Sequence, residues 1–397
     1  MTDLHDLYRD LHQHPELSFQ EFRTAELLAG ALRPSGFEVT TGVGGTGVVG
    51  VLRNGDGPLV MLRADIDALP VEENTGLPYA STVRGTTADG DEVPVAHACG
   101  HDMHATCLAG AAARLAQTRE EWSGTLLVVF QPAEELGSGA RAMVEDGLFD
   151  RFGTPEVVLA QHVGPLPAGM IAYGSGPVMA ASNSVTVTLF GRGGHGSAPE
   201  TAIDPVLMAA HAVVRLQGIV SREVSPGERA VVTVGRLHAG TKENVIPDTA
   251  ELGISIRTFN EHMRDVVRAA VERIIRAEAA ASGAPREPEF DWHGGTPVLV
   301  SDPDATAKTM AAFTEHFGGE RLIPGAVVSA SEDVGVFGTA AGVPTVFWFF
   351  GGVDFATREP GRPVAMNHSP EFAPDIEPTL TTGVEALVLA ARTWFAR

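Results

Sequence analysis

The chain has 397 residues, 44% hydrophobic and 20% charged, the make-up of a globular protein long enough for two domains, which excludes a disordered chain. Its formal charge of −22, with no lysine- or arginine-rich block, excludes nucleic acid and anionic membrane surfaces as natural partners and points to a small molecule. No apolar run reaches the roughly 18 residues of a membrane span, Met1 to Asp6 is acidic rather than a secretory signal, and the two cysteines make no disulfide framework, so the cytoplasm is the expected compartment.

Leu4, Leu7 and Leu11, then Phe22, Leu27, Leu28 and Leu32, predict helices over 4–14 and 18–33, separated by Pro15 and stopped by Pro34 and Gly36. His12 and His14 read as structural. Strands are expected at 37–41, 47–53 and 59–64. The last is the unbroken apolar run of a sheet buried on both faces, and Asp65 and Asp67 fall where it ends.

After a polar loop, the stretch His97-Ala98-Cys99-Gly100-His101-Asp102-Met103-His104 puts four possible metal ligands within eight residues, with Cys107 one helical turn on. Thiolate and imidazole together suit zinc and neighbouring first-row metals. A helix rich in small residues follows over 102–118, which Asp102 could cap. The strand 125–130 ends in Gln131-Pro132-Ala133-Glu134-Glu135, and the strand 156–160 ends in Gln161-His162. Three strands thus end in metal-capable side chains, and in open α/β sheets the ligand site lies at the carboxyl ends of the strands.

From about 180 the pattern changes. An alternating strand at 185–189, the loop Gly191-Arg192-Gly193-Gly194-His195-Gly196, a helix over 203–221, strands at 229–237 and 249–258, a helix over 260–282 and a strand at 287–292 give the order β-α-β-β-α-β of a ferredoxin-like module. The remainder, with the apolar run Val343 to Trp348, Asn367-His368-Ser369-Pro370 and a closing helix from about 377, returns to the alternating helices and buried strands of the first 179 residues. The expected organisation is a catalytic domain in two parts, 1–179 and 294–397, with an inserted domain over 180–293.

Glu134 and Glu135 are the most informative pair. Adjacent carboxylates on a turning backbone point in different directions, so one can bind a metal while its neighbour faces a water as general base. Glu134 would then pass the proton to a leaving amine.

These residues carry a family resemblance. Arg63 to Pro70, His97 to His104, Gln131 to Gly137, Gly191 to Pro199, Asn244-Val245-Ile246-Pro247 and His368-Ser369-Pro370 together resemble, in order and over nearly the whole chain, the amidohydrolase branch of the aminoacylase and carboxypeptidase G metallopeptidases, which includes hippurate and indoleacetyl-amino-acid hydrolases. The resemblance implies an α/β, two-domain dinuclear-metal exopeptidase-like fold, a mixed sheet flanked by helices with an inserted ferredoxin-like α+β domain that dimerises, and cleavage of N-acyl amino acids or peptide-like substrates. It implies two divalent metal ions per chain (Mn, Zn, Co or Ni) held by Cys99, His101, Glu135, His162 and His368, with Glu134 as base. Asp65 and Asp67 would orient ligands, and either Cys99 or Asp102 would bridge the metals. His195 would stabilise the oxyanion, in its own subunit or in a partner's, while Asn244 and Arg257 would hold the substrate carboxylate; Arg257 has the alternative of a salt bridge within the small domain.

The segments Gly294 to Leu299 and Phe349 to Asp354 depart from the pattern of near relatives and leave the acyl group open. An aminopeptidase or dipeptidase of the same fold, a cysteine amidase using Cys99 as nucleophile, and a metal-binding protein on a dead scaffold are the competing readings.

Overall fold

A computed structural model of the chain describes residues 3–356, 361 and 363–396. They fold as two units, one built from 1–178, 300–327 and 333–397 and the other from 179–299 and 328–332. No helix among the described residues is long and apolar enough to cross a membrane.

The first unit is built on an eight-stranded sheet in the order Glu38–Val43, Gly47–Asn54, Gly124–Gln131, Leu59–Asp65, Val157–Pro167, Thr345–Val353, Ile171–Tyr173, Leu322–Pro324. The four strands from Gly124–Gln131 to Thr345–Val353 run parallel, whereas Glu38–Val43 and Gly47–Asn54 are antiparallel, so the sheet is mixed. Valine and leucine fill the parallel strands without alternation because both faces are covered, and Val60, Leu62, Leu126, Val128, Leu159 and Val346 are fully buried. The helices His101–Gln117 and Thr379–Trp394 pack against each other over this core.

The second unit is a four-stranded antiparallel sheet in the order Ala230–Ala239, Thr249–Thr258, Ala181–Phe190, Glu289–Thr296. Here the strands alternate: Val185, Val187, Leu189, Leu252, Ile254 and Ile256 turn inward onto the helices Pro205–Leu216 and Glu261–Ala281. The element order is the ferredoxin-like one expected from the sequence.

Three local expectations are corrected. The second helix starts at Phe22, not 18, because Phe19 adopts φ 60 and the Glu16 carboxylate caps the first turn through the Arg23 and Thr24 N–H groups. The helix expected over 203–221 is two, Pro205–Leu216 and Gly218–Arg222. Asp102 is not the cap of its helix. That place belongs to Gly100 at φ 83, where a Cβ would lie 2.4 Å from Val163 Cγ1, and Asp102 sits inside the first turn with Oδ1 accepting the Met103 N–H.

Candidate metal centre

The parallel strands are in register, Asp65 beside Gln131 and Arg63 beside Ala160, so their carboxyl ends open at one edge of the sheet. Asp67, Glu134 and Glu135 lie just beyond the first two strands and gather there with His162 of the third. The left-handed Gly100 turn delivers Cys99 and His101 to the same place, and His368, itself at φ 69, is tied in by its N–H donating to Ala98 O at 2.7 Å.

Cys99 Sγ lies 3.5 Å from His162 Nε2, and His368 Nε2 lies 3.4 Å from Glu135 Oε2. His101 Nε2 is 3.8 Å from Glu135 Oε1 and 4.0 Å from Glu134 Oε2. The donor atoms of Cys99, His101 and His162 all fall within 4.8 Å of one another, as do those of Cys99, Glu135 and His368. Sγ of Cys99 is therefore common to two donor triads.

Hydrogen bonds fix which nitrogen of each imidazole is open. His101 Nδ1 pairs with Asp67 Oδ1 at 3.2 Å and His162 Nδ1 donates to Val163 O at 2.7 Å, so each presents Nε2 to the cluster. Burial holds His162 well below the usual histidine value, so its ring is neutral. His101 is held well above that value, Asp65 and Cys99 outweighing burial. Burial pushes the Glu135 carboxyl up to about 7 against the pull of His101, and burial together with Glu135 holds the Cys99 thiol well above its ordinary range.

His101 Nε2 and Glu135 Oε1 are buried and make no hydrogen bond among the described residues. Imidazole nitrogen, carboxylate oxygen and cysteine sulfur converging in one buried place are donors that a cation satisfies, displacing the protons they carry. The residues present fit a divalent metal pair, and a sulfur, nitrogen and oxygen donor set is compatible with zinc, manganese, cobalt or nickel.

Two histidines of the eight-residue cluster stay outside the donor set. His104 has both nitrogens engaged, Nδ1 with Asp65 Oδ1 at 2.5 Å and Nε2 accepting from Val163 N at 2.7 Å. His97 is buried in neither triad, and burial pulls it down to about 4. Asp102 is committed elsewhere as well: Oδ2 lies 2.6 Å from His12 Nδ1, and His12 Nε2 reaches Glu73 Oε1 at 3.1 Å. Burial alone would lower His12, but Asp102 and Glu73 raise it to about 10, so a buried imidazolium joins the first helix to the base of the ligand loop.

Two residues to which the sequence assigns no role hold this arrangement. Arg63, fully buried, donates to Asp65 Oδ2 at 2.8 Å and Gln131 Oε1 at 2.7 Å and pairs with Asp333 Oδ1 at 3.3 Å. An arginine inside an otherwise apolar strand was the signal. Asn367 Nδ2 donates to Cys99 O at 3.2 Å and Val163 O at 3.3 Å, and its only mark in the sequence was its place before His368.

His195, Asn244 and Arg257 belong to the second unit. His195 pairs with Val245 in a two-stranded ribbon and the Gly196 N–H donates to Asn244 O at 2.8 Å, so the first two are neighbours, both exposed. His195 Nδ1 accepts from the Ser197 N–H at 3.1 Å and lies 2.7 Å from Ser197 Oγ, which makes Nε2 the ring nitrogen that can donate. Arg257 stands on the strand Thr249–Thr258, where it donates to Ser331 Oγ at 2.5 Å, and no carboxylate pairs with it among the described residues.

Comparison with known proteins gives a consistent result. The chain is 40% identical over 330 residues to a hippurate hydrolase of Campylobacter jejuni, covering 82% of each, and 36% identical over 345 residues to an N-acetyl-L-cysteine deacetylase of Bacillus subtilis, covering 86% of this chain and 79% of the relative. It is 35% identical to a thermostable carboxypeptidase of Saccharolobus solfataricus over 388 residues, 96% of this chain and 93% of the relative. A crystal structure from Bacillus subtilis, described as a dinuclear metal-binding peptidase of the M20 family, superimposes with a TM-score of 0.75 at 32% identity, covering 98% of this chain and 97% of that one. The model of peptidase family M20/M25/M40 matches residues 61–393, and the chain belongs to that family.

Proposed function

We propose that this chain is a metal-dependent amidohydrolase that splits N-acyl amino acids into a carboxylic acid and an amino acid. The observation that carries the reading is the pair of donor triads sharing Cys99, with His101 Nε2 and Glu135 Oε1 unanswered between them and Glu134 alongside. Cys99, His101, Glu135, His162 and His368 would hold two divalent metals. Cys99 belongs to both triads, whereas Asp102 is occupied by His12 and Met103 and would not hold a metal. When bound, the metals would supply Lewis acidity, polarising the amide carbonyl and acidifying the attacking water.

The chain's own residues supply the rest. Glu134 takes the proton from the water and returns it to the amide nitrogen as the C–N bond breaks, so the amino acid leaves as the amine. His195 donates from Nε2 to the oxygen that gains charge in the tetrahedral intermediate, with Ser197 fixing its tautomer. Arg257 and Asn244 bind the carboxylate of the amino-acid half, as a guanidinium fork does well. Asp67 orients His101, and Asp65 is the carboxylate on which Arg63 and His104 converge.

Substrates of the named relatives support this class: hippurate and N-acetylcysteine are both N-acyl amino acids. A carboxypeptidase reading draws support from the Saccharolobus relative and shares the need for a carboxylate clamp. The cysteine-nucleophile reading is disfavoured, since Cys99 is a buried thiol whose proton is held tightly. A hydrolysis screen with added metal over acetyl, benzoyl and indoleacetyl amino acids beside free dipeptides tests the class. Turnover of one acyl series above the dipeptides is expected; turnover of dipeptides alone overturns it.

The inserted unit is proposed to form a homodimer. Val206, Leu207, Val214 and Val220 are exposed on its helices, and the edge strand Ala230–Ala239 leaves a row of unpaired backbone groups with Val231 and Leu237 exposed.

A further inference from the structure

Glu134 and Glu135 leave their strand through a turn whose first residue is strained. Ala133, fully buried, adopts φ 48, a left-handed conformation that a residue with a Cβ resists. Its carbonyl accepts the Ser138 and Gly139 N–H groups at 3.4 and 3.1 Å, and a Cβ on Gly139 would lie 1.6 Å from Pro132 O, so the loop closes tightly on itself.

The amide of Ala133 is held from outside the loop. It donates to Glu21 Oε1 at 2.9 Å, while Glu21 Oε2 accepts from Thr46 Oγ1, and the Glu21 side chain is completely buried. Two residues on, the Glu135 N–H donates to Asp67 Oδ2 at 3.0 Å, and the same oxygen accepts from Ser18 Oγ at 2.7 Å. Two carboxylates thus take the amides on either side of Glu134. Both are tied to the short segment between the first two helices, Glu21 as part of it and Asp67 through Ser18.

We propose that Glu21 is a positioning residue: its carboxylate latches the Ala133 amide, holds the left-handed turn, and so sets the diverging directions of Glu134 and Glu135. A carboxyl suits this task because its two oxygens are held at once, one by the Ala133 N–H and the other by Thr46 Oγ1, so the side chain cannot turn away from the loop. The inference rests on the reading of Glu134 as base and Glu135 as metal ligand. The latch reaches the donor triads through the backbone of the Ala133 to Glu135 turn.

The test compares the full-length enzyme with Glu21→Ala and Glu21→Gln, each alone and combined with Ala133→Gly, by direct cobalt(II) titration and by kcat and KM at saturating metal. Glycine occupies the left-handed region without penalty, so the turn should survive without its latch. Glu21→Ala should weaken cobalt affinity and lower kcat, each by roughly 10–100-fold, the usual cost of losing a group that orients a ligand, with KM little changed. Ala133→Gly should recover most of both losses, and Glu21→Gln should fall between. Should Glu21→Ala fail to fold, Glu21→Gln with and without Ala133→Gly decides the matter in the same way. Unchanged affinity and kcat, or a loss that Ala133→Gly leaves untouched, would overturn the latch. If instead Glu134→Gln keeps its turnover, the base assignment fails while the cobalt affinities still judge Glu21.

Discussion

Glu134 and Glu135 are neighbours in the chain with different surroundings, and the difference defines their proposed roles. Glu135 groups with Cys99 and His368 and has one oxygen without a hydrogen-bond partner, whereas Glu134, 4.0 Å from His101, groups on its other side with Asp333. Glu134→Gln should therefore keep its metal and lose turnover by roughly 10²–10⁴, as removal of a positioned base does; elemental analysis beside kcat checks both halves. Glu21 gives a pH signature in metal-free protein. Burial, then Asp67, raises its carboxyl from 4.5 to about 7, so between those values the folded chain keeps a proton that the unfolded chain has released. Stability from this group is complete below the lower value and is lost as pH rises through the upper one. Relative to Glu21→Gln, the wild type should lose on the order of 3 kcal/mol across that window, and parallel stability curves for the two proteins would contradict it. At this scale the sequence spoke clearly where chemistry is local: Cys99, His101, Glu135 and His162 follow strand ends or fill a dense motif. It was silent on Glu21 and Asp333, because their partners Ala133 and Arg63 lie far away in sequence and no periodicity marks a carboxylate that faces inward.

Among the elements, the helix His101–Gln117 matters most, since its first turn carries His101 and Asp102 and follows directly on Cys99. Its start is fixed from the first helix by His12, which bridges Asp102 and Glu73 with all three side chains almost wholly buried. Replacing His12 with leucine would strand two buried carboxylates, and a loss of about 3–5 kcal/mol is expected in chemical denaturation, the cost of breaking a buried ion pair from one side. A loss below about 1 kcal/mol, the worth of a surface pair, would show that the bridge does not matter. Helix periodicity revealed the first helix, but a histidine on its buried face reads the same whether it meets one carboxylate or two. The continuous apolar runs, by contrast, made the parallel strands legible, since a sheet covered on both faces leaves no other pattern. The start of the second helix was not legible, because Glu16 caps it from six residues upstream of Phe22.

For the whole molecule, the two patterns in the sequence correspond to two kinds of core: apolar parallel strands in the unit that carries the donor triads, and alternating antiparallel strands in the unit that carries His195. Boundaries between them were less legible, because a handful of residues at 328–332 return to the second unit inside a stretch whose composition belongs to the first. If the exposed apolar side chains of the inserted unit form the proposed dimer contact, Leu207→Glu combined with Val214→Glu should give monomers in sedimentation without unfolding; persistent dimers would move the contact elsewhere. The proposed chemistry needs a metal pair held by five side chains, Cys99, His101, Glu135, His162 and His368. Its most direct test is a titration of thoroughly metal-stripped protein with manganese or cobalt, following hydrolysis of an N-acyl amino acid against metal bound per chain. Activity should be absent at the start and level off as occupancy reaches about two metals per chain, the stoichiometry of a two-metal hydrolase. Full turnover by the stripped protein would contradict it.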